Sequence, residues 1–500
     1  MVTAMTGAAL TAQRRDTDLA ALRNGAVVDL LVVGGGITGV GVALDAATRG
    51  LSVALVERND LASGTSRWSS KLAHGGLRYI AAGQLGVAWE SAVERNHLFR
   101  TIAPHLVRPM RFVIPSLPVD GTAERMAARV GFGVADALRW AARTPPQLPR
   151  TSWVEPSEAR GLAPTLRPDL RGGFLHIDGA LEDDLRLVVG IARTAASVGA
   201  RIITRCAAVE VAADGARVHD MCADEAFDIK ARAVVVAAGV WTSGLVDKVS
   251  LQPSKGAHVL VRPEALDHPR AAFNILIPGT RNRFVFAVPR PDGLVQVGLT
   301  DDAVDEVVDE PCVTDADEKF LLETLSSGLS RAVTSSDVVG KFAGLRPLLG
   351  TASGSSAADI SRRHALLERD GVVVIVGGKL TTYRRMAEDA VDRVCKRLRH
   401  ERAAVTRTLP LVGATGAPDA DLPARLRRRF GAEAPAVAAH GPIEPVAPGV
   451  PALKCEVGWA VAAEGALDAA DIERRLRLDV VPEWCDAARG YLDEVVSSSS

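Results

Sequence analysis

Residues 28–57 read VDLLVVGGGITGVGVALDAATRGLSVALVE, and this stretch decides the fold of the 500-residue chain. The apolar run 28–33 predicts a buried strand. Residues 37–49 predict a helix, and the apolar run 51–56 predicts a second strand. A strand, a helix and a second strand within thirty residues form the βαβ unit of a doubly wound α/β fold.

The turn between the first strand and the helix carries the GxGxxG spacing. Its glycines are Gly34, Gly36 and Gly39. At these positions glycine permits a tight turn, the approach of a pyrophosphate, and close helix–strand packing. Glu57 ends the second strand, where an acidic residue can accept a ribose hydroxyl. The turn therefore predicts a bound dinucleotide; a glycine-rich turn in a nucleotide-free α/β domain is the alternative.

Composition and charge exclude several classes of protein. The chain is 47% hydrophobic and 24% charged, with a formal net charge of −1, so no global charge draws it to nucleic acid. The sequence contains no run of 18 apolar residues, so we predict no membrane-spanning helix. The first 27 residues lack the apolar core of a signal peptide. We therefore expect a cytoplasmic protein without a nucleic-acid partner.

The six cysteines form no CxxC pair, which argues against a disulfide framework and against a metal site. They are Cys206, Cys222, Cys312, Cys395, Cys455 and Cys485.

The pattern of later elements predicts further domains. Strand-like pieces crowd residues 255–300, and the last apolar strand, 372–376, runs into Gly377-Gly378-Lys379 and a helix. The predicted fold class is α/β, with a discontinuous Rossmann nucleotide-binding domain. The predicted divisions are an N-terminal extension 1–27, a nucleotide-binding domain 28–250 plus 366–396, a sheet-rich substrate domain 251–365, and a C-terminal helical domain 405–495.

Residues 122–143 resemble a basic amphipathic helix. Apolar residues recur every four positions along it, and arginines occupy another face. The apolar residues are Met126, Val130, Val134 and Leu138, and the arginines are Arg125, Arg129, Arg139 and Arg143. An ordinary surface helix explains the pattern equally well.

Five ordered motifs within residues 28–396 resemble the FAD-dependent glycerol-3-phosphate dehydrogenases. These belong to the D-amino-acid-oxidase-like, glutathione-reductase-type flavoproteins. The resemblance implies that residues 28–250 plus 366–396 form a discontinuous, glutathione-reductase-type Rossmann FAD domain. The motifs are SSKLAHGGLRYI, KGAHVLV, VGLTD, FAGLRPLL and VGGKLTTYRRMAEDA. The C-terminal part resembles the family's helical cap domain only in position and composition.

This resemblance implies an activity and its partners. The family oxidises sn-glycerol 3-phosphate to dihydroxyacetone phosphate and passes electrons to a membrane quinone. We therefore expect noncovalent FAD and a peripheral contact of residues 122–143 with anionic lipid on the cytoplasmic face of the cell membrane. A homodimer is one expected assembly. The chain departs from the family at Arg67-Trp68, in a loop of usually small residues, and at Arg363-His364, where Asp-Tyr is frequent.

The expected FAD contacts lie in three segments besides the first turn and Glu57. The loop after the second strand supplies hydroxyls, amides and glycines. The end of a later strand supplies Gly239, and a strand-to-helix junction near 378 points a helix N-terminus at the flavin. These candidates are Ser69, Ser70, Lys71, Leu72, His74, Gly76, Gly239, Gly378, Lys379, Leu380 and Thr381. Polar helix capping would by itself explain Thr381. His74 is an alternative covalent attachment point for the flavin.

The substrate site needs cations and a base. A dianionic phosphate demands several donors, which arginine supplies well. The substrate-binding candidates are Arg78, Tyr79, Arg346, Arg362 and Lys379. Hydride transfer from a secondary alcohol to flavin N5 requires removal of the hydroxyl proton, and His258 is the candidate general base. Arg346 is the second catalytic candidate, because it can polarise the developing carbonyl oxygen.

Other readings remain open from the sequence. An oxidase or dehydrogenase of another small acid can use the same scaffold. A flavin-binding sensor without turnover is a second alternative. A nicotinamide-linked enzyme fits less well, because the long excursions after Glu57 match a flavin site better.

Overall fold

The computed structural model describes residues 7–76, 80, 84–118, 122–280, 283–349 and 364–499. Within these residues the strands are β1 (Leu30–Val33), β2 (Val53–Val56), β3 (Leu72–Ala73), β4 (Val107–Pro115), β5 (Ser152–Val154), β6 (Gly173–Leu181), β7 (Arg201–Ile203), β8 (Cys206–Ala212), β9 (Gly215–Asp220), β10 (Glu225–Lys230), β11 (Val234–Val236), β12 (Leu251–Val261), β13 (Ala272–Leu276), β14 (Phe284–Pro289), β15 (Val295–Gly298), β16 (Asp302–Ala303), β17 (Val338–Leu349), β18 (His364–Arg369) and β19 (Val372–Gly377). The helices are α1 (Ala12–Arg23), α2 (Ile37–Thr48), α3 (Leu85–His97), α4 (Thr122–Ala141), α5 (Pro156–Leu162), α6 (Asp184–Ser197), α7 (Asp315–Ser326), α8 (Tyr383–Leu398), α9 (Ala424–Phe430), α10 (Ala434–Ala438), α11 (Lys454–Glu464), α12 (Ala469–Leu476) and α13 (Pro482–Ser499).

Six strands form a central sheet in the order β18–β19–β11–β1–β2–β7. Neighbours from β19 to β7 run parallel, and β18 pairs antiparallel with β19. Every residue of β1 and β2 is buried, as expected for parallel strands covered on both faces. Helix α2 joins these two strands and packs against α6 and α8. The βαβ unit predicted for residues 28–57 is confirmed.

A second, large sheet runs β16–β12–β15–β14–β13–β4–β6–β3, with β17 paired to β12 and β5 paired to β6. Strands β3 to β6 lie between residues 72 and 181, before the sheet-rich range 251–365. They belong here because β4 pairs parallel with β13 and antiparallel with β6. This part of the range 28–250 therefore joins the large sheet and not the central one. A separate antiparallel sheet holds β8, β9 and β10.

Helices α9 to α13 form the C-terminal unit and carry their own apolar clusters. Buried ion pairs fix this unit to the rest of the chain. They are Arg475–Asp60, with N–O distances of 2.5 and 2.7 Å, Arg429–Asp183 at 2.9 Å, and Arg186–Glu464 at 2.5 Å. A central parallel sheet, a second large sheet and a helical C-terminal region confirm the predicted α/β fold class.

Candidate active site

A cavity of about 1350 Å³ opens where the central sheet meets the large sheet. The carboxyl ends of β1, β2, β11 and β19 line one side of it, and residues of β12, β14 and β17 line the other. Ligands of open α/β sheets bind beyond the carboxyl ends of the parallel strands. The cavity thus occupies the expected position for a nucleotide site.

The large sheet contributes one row of facing residues to this cavity. Asn274, Phe286, Gly298, His258 and Phe342 pair in succession across β13, β14, β15, β12 and β17. Directly paired residues of neighbouring strands share a face of the sheet. The register therefore brings Asn274, Phe286 and His258 to the cavity together, although they lie far apart in sequence.

The glycine-rich turn has the geometry that the sequence predicts. Gly34 has φ of +111°, and a Cβ there would lie 2.6 Å from the carbonyl oxygen of Ala237. A Cβ at Gly39 would overlap the carbonyl oxygen of Gly34, so glycine at this position lets the helix pack closely against the turn. Glu57 accepts hydrogen bonds from the backbone N–H groups of Gly35, at 2.6 Å, and Asn59, at 2.8 Å. Burial raises the pKa of the Glu57 carboxyl.

The loop that follows β2 is anchored to the start of α6. The Asp184 carboxylate accepts the backbone N–H and the hydroxyl of Ser69, at 3.0 and 2.7 Å. It also accepts the Lys71 ammonium at 3.0 Å. These bonds hold Ser70 at the cavity wall, where its hydroxyl oxygen lies 3.1 Å from Nε2 of His258.

Lys71 itself does not line the cavity. Its backbone has φ of +54°, and its side chain is buried against Asp184 and the carbonyl oxygen of Arg67. Burial lowers the pKa of Lys71 to about 8. The structure thus gives Lys71, predicted as a cofactor contact, the role of an anchor for the loop.

Arg67 and Trp68, one of the two pairs at which the chain departs from the family pattern, pack beside this loop. Trp68 lines the cavity and stacks on Phe342 with ring centroids 5.4 Å apart. Arg67 lies over the Trp68 ring at 3.6 Å and forms an ion pair with Asp479 of the C-terminal unit. The bulky pair therefore links the C-terminal unit to the cavity wall.

His258 is a buried imidazole that stacks on Phe342, with ring centroids 4.7 Å apart. A Cβ at Gly298 would overlap its ring, so glycine makes room for it. Burial and the positive charges of Arg346 and Lys71 hold the pKa of His258 well below its ordinary value. The ring is therefore neutral at physiological pH and able to accept a proton.

Arg346 lines the same wall. Its guanidinium donates to Asp301 at 3.1 Å, to the Ser254 hydroxyl at 3.4 Å and to the Thr300 carbonyl at 3.4 Å. A Cβ at Gly256 would overlap the guanidinium, which shows that this group lies across Gly256 toward His258.

The strand-to-helix junction after β19 closes another side of the cavity. Gly377 and Gly378 both have positive φ, +76° and +78°. A short 3₁₀ turn, Leu380–Thr382, precedes α8. Lys379 donates to the Ser91 hydroxyl of α3 at 2.8 Å, so it also ties the junction to that helix.

Most of the predicted site residues described by the structure meet at this cavity. Those that line it are Gly34, Gly36, Glu57, Ser69, Ser70, Leu72, His74, Gly239, His258, Arg346, Gly378, Lys379, Leu380 and Thr381. Gly39, Lys71 and Gly76 are not among its lining residues. Arg78, Tyr79 and Arg362 lie outside the described residues.

Two residues of helix α4 contact the rest of the protein. Phe132 lines the cavity and packs on Phe174, with ring centroids 4.9 Å apart. Arg139 donates to the carbonyl oxygens of Ile177, Leu148 and Pro149. Phe132 therefore forms part of the cavity wall, and Arg139 caps backbone carbonyls.

Sequence reasoning missed several residues that line the cavity. They are Phe112, His176, Asp178, Asn274, Arg283, Phe286 and Asp301. Asp301 belongs to the VGLTD motif and pairs with Arg346, so the motif was a usable signal. Arg283 follows a turn in an arginine-rich chain and carries no such signal.

The residues present fit FAD. The start of α2 lines the cavity through Gly36, Ile37 and Thr38, and the N-cap Gly36 offers no side chain to cap it. Such a helix start binds phosphate through its N–H groups and dipole. The cavity also exceeds the roughly 300–1,000 Å³ of pockets for drug-sized ligands. It therefore has room for a dinucleotide together with a small substrate.

Comparisons with known proteins agree with this geometry. The family model described as FAD dependent oxidoreductase matches residues 29–422. The chain therefore belongs to the FAD-dependent oxidoreductase family, and its cofactor is FAD.

Individual relatives show which members of this family the chain resembles. The Mycobacterium tuberculosis protein named glycerol-3-phosphate dehydrogenase 1 is 49% identical over 495 residues, 95% of this chain and 96% of that protein. The aerobic glycerol-3-phosphate dehydrogenase of Staphylococcus aureus is 34% identical over 388 residues, 75% of this chain and 68% of the relative. The crystal structure of the Bacillus halodurans glycerol-3-phosphate dehydrogenase complexed with FAD has a TM-score of 0.75 at 26% identity, covering 97% of this chain and 94% of that one. The predicted family resemblance is confirmed.

Among the helices that the structure describes, none combines the length and apolar character needed to cross a bilayer.

Proposed function

We propose that this protein oxidises sn-glycerol 3-phosphate to dihydroxyacetone phosphate and delivers the electrons to a membrane quinone. The observation that carries the proposal is the pairing of a neutral imidazole, His258, with a guanidinium, Arg346, on one wall of the cavity. A base and a cation side by side suit an alcohol that also bears a phosphate. The names of the relatives support the same substrate.

His258 takes the proton of the substrate hydroxyl in this proposal. Its depressed pKa keeps the ring unprotonated at neutral pH, and Ser70 fixes its orientation through Nε2. Bound FAD supplies the hydride acceptor at N5. Removing the hydroxyl proton as the hydride leaves avoids a protonated ketone, and such base catalysis contributes about 10²- to 10⁴-fold.

Arg346 binds the substrate anion and favours the developing carbonyl oxygen. Asp301 and Thr300 hold its guanidinium in place, so little side-chain freedom is lost when substrate binds. Arg78, Tyr79, Arg362 and Lys379 remain further proposed contacts to the phosphate.

Anaerobic titration tests the proposed substrate. Adding glycerol 3-phosphate to purified holoprotein should bleach the flavin absorbance at a near-stoichiometric ratio of substrate to flavin. Glycerol and amino acids at the same concentration should not bleach it. Bleaching by an amino acid alone would favour the alternative of a small-acid oxidase. A spectrum that no substrate changes would favour a flavin-binding sensor.

Helix α4 supports the proposed membrane and quinone partners. Its outer face exposes Met126, Val130, Val134 and Trp140, the last at 77%. Its inner face lines the cavity through Gly131 and Phe132. One helix thus separates the cavity from an exposed apolar surface, as a route for electrons to a lipid-dissolved acceptor requires.

Vesicle sedimentation tests this contact. We expect binding to anionic vesicles that falls when Val130 is changed to Asp, and Arg129→Glu should weaken it further at low salt. Val209→Asp is the matched control, because Val209 is an exposed valine, at 50%, on the separate three-stranded sheet. Equal binding of all variants to neutral and anionic vesicles would contradict the contact.

A further inference from the structure

Arg283 lines the cavity at the start of β14. It differs from the two other arginines that line the cavity, Arg58 and Arg346, because each of those forms an ion pair with an aspartate. Arg346 pairs with Asp301 at 3.1 Å, and Arg58 pairs with Asp309 at 2.7 Å. Among the residues that the structure describes, no carboxylate and no hydrogen-bond acceptor contacts the Arg283 side chain. A positive charge at a cavity wall without a protein counter-ion attracts an anionic ligand.

Arg283 and Arg346 line the same cavity, and the register of the large sheet places the start of β14 close to the part of β12 that the Arg346 guanidinium crosses. The Arg346 guanidinium lies across Gly256 of β12, and Gly256 neighbours Thr300, whose N–H donates to the Ala257 carbonyl at 3.4 Å. On the next strand Phe286 pairs with Gly298, so Phe284, two residues earlier in this antiparallel strand, lies toward Thr300. Arg283 directly precedes Phe284.

The distance between the two arginines suits a shared anion. Strands β12 and β14 are separated by β15, and neighbouring strands lie about 4.8 Å apart, so Gly256 and the start of β14 are roughly 10 Å apart. Two long side chains that reach inward from such positions can meet the same phosphate. Planar guanidinium groups bind phosphate oxygens through paired N–H donors.

We infer that Arg283 is a second phosphate-binding residue of the substrate site and sets its preference for a phosphorylated alcohol. The inference rests on the proposed function, because it assigns the phosphate end of the same substrate. Arg346 lies on the His258 side of the phosphate, and Arg283 closes the opposite side. Asp301 offsets part of the Arg346 charge, so the dianion requires the additional charge of Arg283.

Phosphate binding and turnover together test this assignment. We compare Arg283→Gln, Arg283→Lys and the wild type as FAD-loaded proteins, with Arg217→Gln as the control. Arg217 is an exposed arginine of β9 that does not line the cavity. Titration with inorganic phosphate, followed by the flavin absorbance shift or by calorimetry, gives a Kd without turnover.

For Arg283→Gln we expect a rise of about 10- to 100-fold in both the phosphate Kd and the KM for glycerol 3-phosphate, which is the loss of one charge-assisted contact. The kcat should stay within about threefold, since a binding contact made equally before and during reaction affects KM alone. The phosphate Kd and the KM of Arg283→Lys should lie between those of Arg283→Gln and those of the wild type. Arg217→Gln should match the wild type in both values.

An unchanged phosphate Kd and KM in Arg283→Gln would overturn the inference, and so would an Arg283→Lys variant that loses as much as Arg283→Gln. A wild-type protein that binds phosphate through Arg283 but is not reduced by glycerol 3-phosphate would overturn the proposed function instead.

Discussion

The hydroxyl oxygen of Ser70 lies 3.1 Å from Nε2 of His258, although 188 positions separate the two residues in the chain. The Asp184 carboxylate fixes the loop that carries Ser70, and the β12–β15 pairing fixes His258. The contact therefore joins the cofactor loop to the substrate wall and sets the orientation of the imidazole.

His258→Ala should slow the reductive half-reaction by about 10²- to 10⁴-fold, because it removes the proposed general base. Ser70→Ala should cost only about two- to tenfold, the net worth of one neutral hydrogen bond. Stopped-flow measurement of flavin bleaching separates these effects from substrate binding. A His258→Ala rate within about threefold of the wild type would assign the proton to another group.

The pH dependence of flavin reduction should reflect the environment of His258. A base must be unprotonated to act, and burial with two neighbouring cations keeps the pKa of His258 well below its usual range. The rate should thus stay level as pH falls through 6.5, the ordinary histidine value, and decline only in more acidic solution. Arg346→Gln removes one of the cations and should move the decline to higher pH. A half-maximal rate at or above pH 6.5 in the wild type would contradict this assignment.

Gly298→Ala should displace the His258 imidazole, since the added Cβ would overlap the ring while Phe342 blocks its retreat. We expect flavin reduction to fall nearly as far as in His258→Ala, with FAD content unchanged. Gly133→Ala is the matched control, because a Cβ at Gly133 meets no atom within 4 Å. Equal rates in both alanine variants would show that the ring position does not limit the reaction.

Arg346→Ala should lower kcat/KM for glycerol 3-phosphate by about 30- to 1000-fold, equivalent to 2–4 kcal/mol of lost interaction with the anion. The change also leaves the buried Asp301 carboxylate without its guanidinium partner. The double variant Arg346→Ala/Asp301→Asn removes that stranded charge and should recover stability but not activity. Recovery of activity in the double variant would show that Arg346 serves only to neutralise Asp301.

FAD should be bound without a covalent bond. Acid precipitation of the yellow holoprotein should release the flavin into the supernatant, because the contacts predicted by the glycine turn and Glu57 are hydrogen bonds and packing alone. Colour that stays in the pellet would point to covalent attachment, with His74 as the first residue to replace.

The sequence predicted the parts of this molecule that depend on local pattern. The turn from Gly34 to Gly39 and the strand ending at Glu57 have a fixed spacing and fold within thirty residues, so their geometry follows from the chain alone. Arg346 stands in an apolar frame that marks it as unusual, and the structure does place it in the cavity.

The residue roles that the sequence did not predict depend on side-chain direction and on partners far away in sequence. Lys71 sits in a cofactor motif, yet its positive φ turns the ammonium toward Asp184, 113 positions later. Arg139 has the spacing of a lipid-facing arginine, but the carbonyls that it caps come from a different segment. Arg283 is one of 59 lysines and arginines, and only its place at the cavity wall distinguishes it.

The buried ion pairs that join the C-terminal helices to the remainder of the chain bear on the evolution of this architecture. A substitute unit that kept Asp60 and Asp183 fully buried but lacked the arginines would leave each carboxylate without its partner, at a cost of about 3–5 kcal/mol per pair. The C-terminal unit is therefore not an interchangeable module. A lineage that exchanged it for another covering unit would first have to neutralise those carboxylates, so the two parts are constrained to be inherited together.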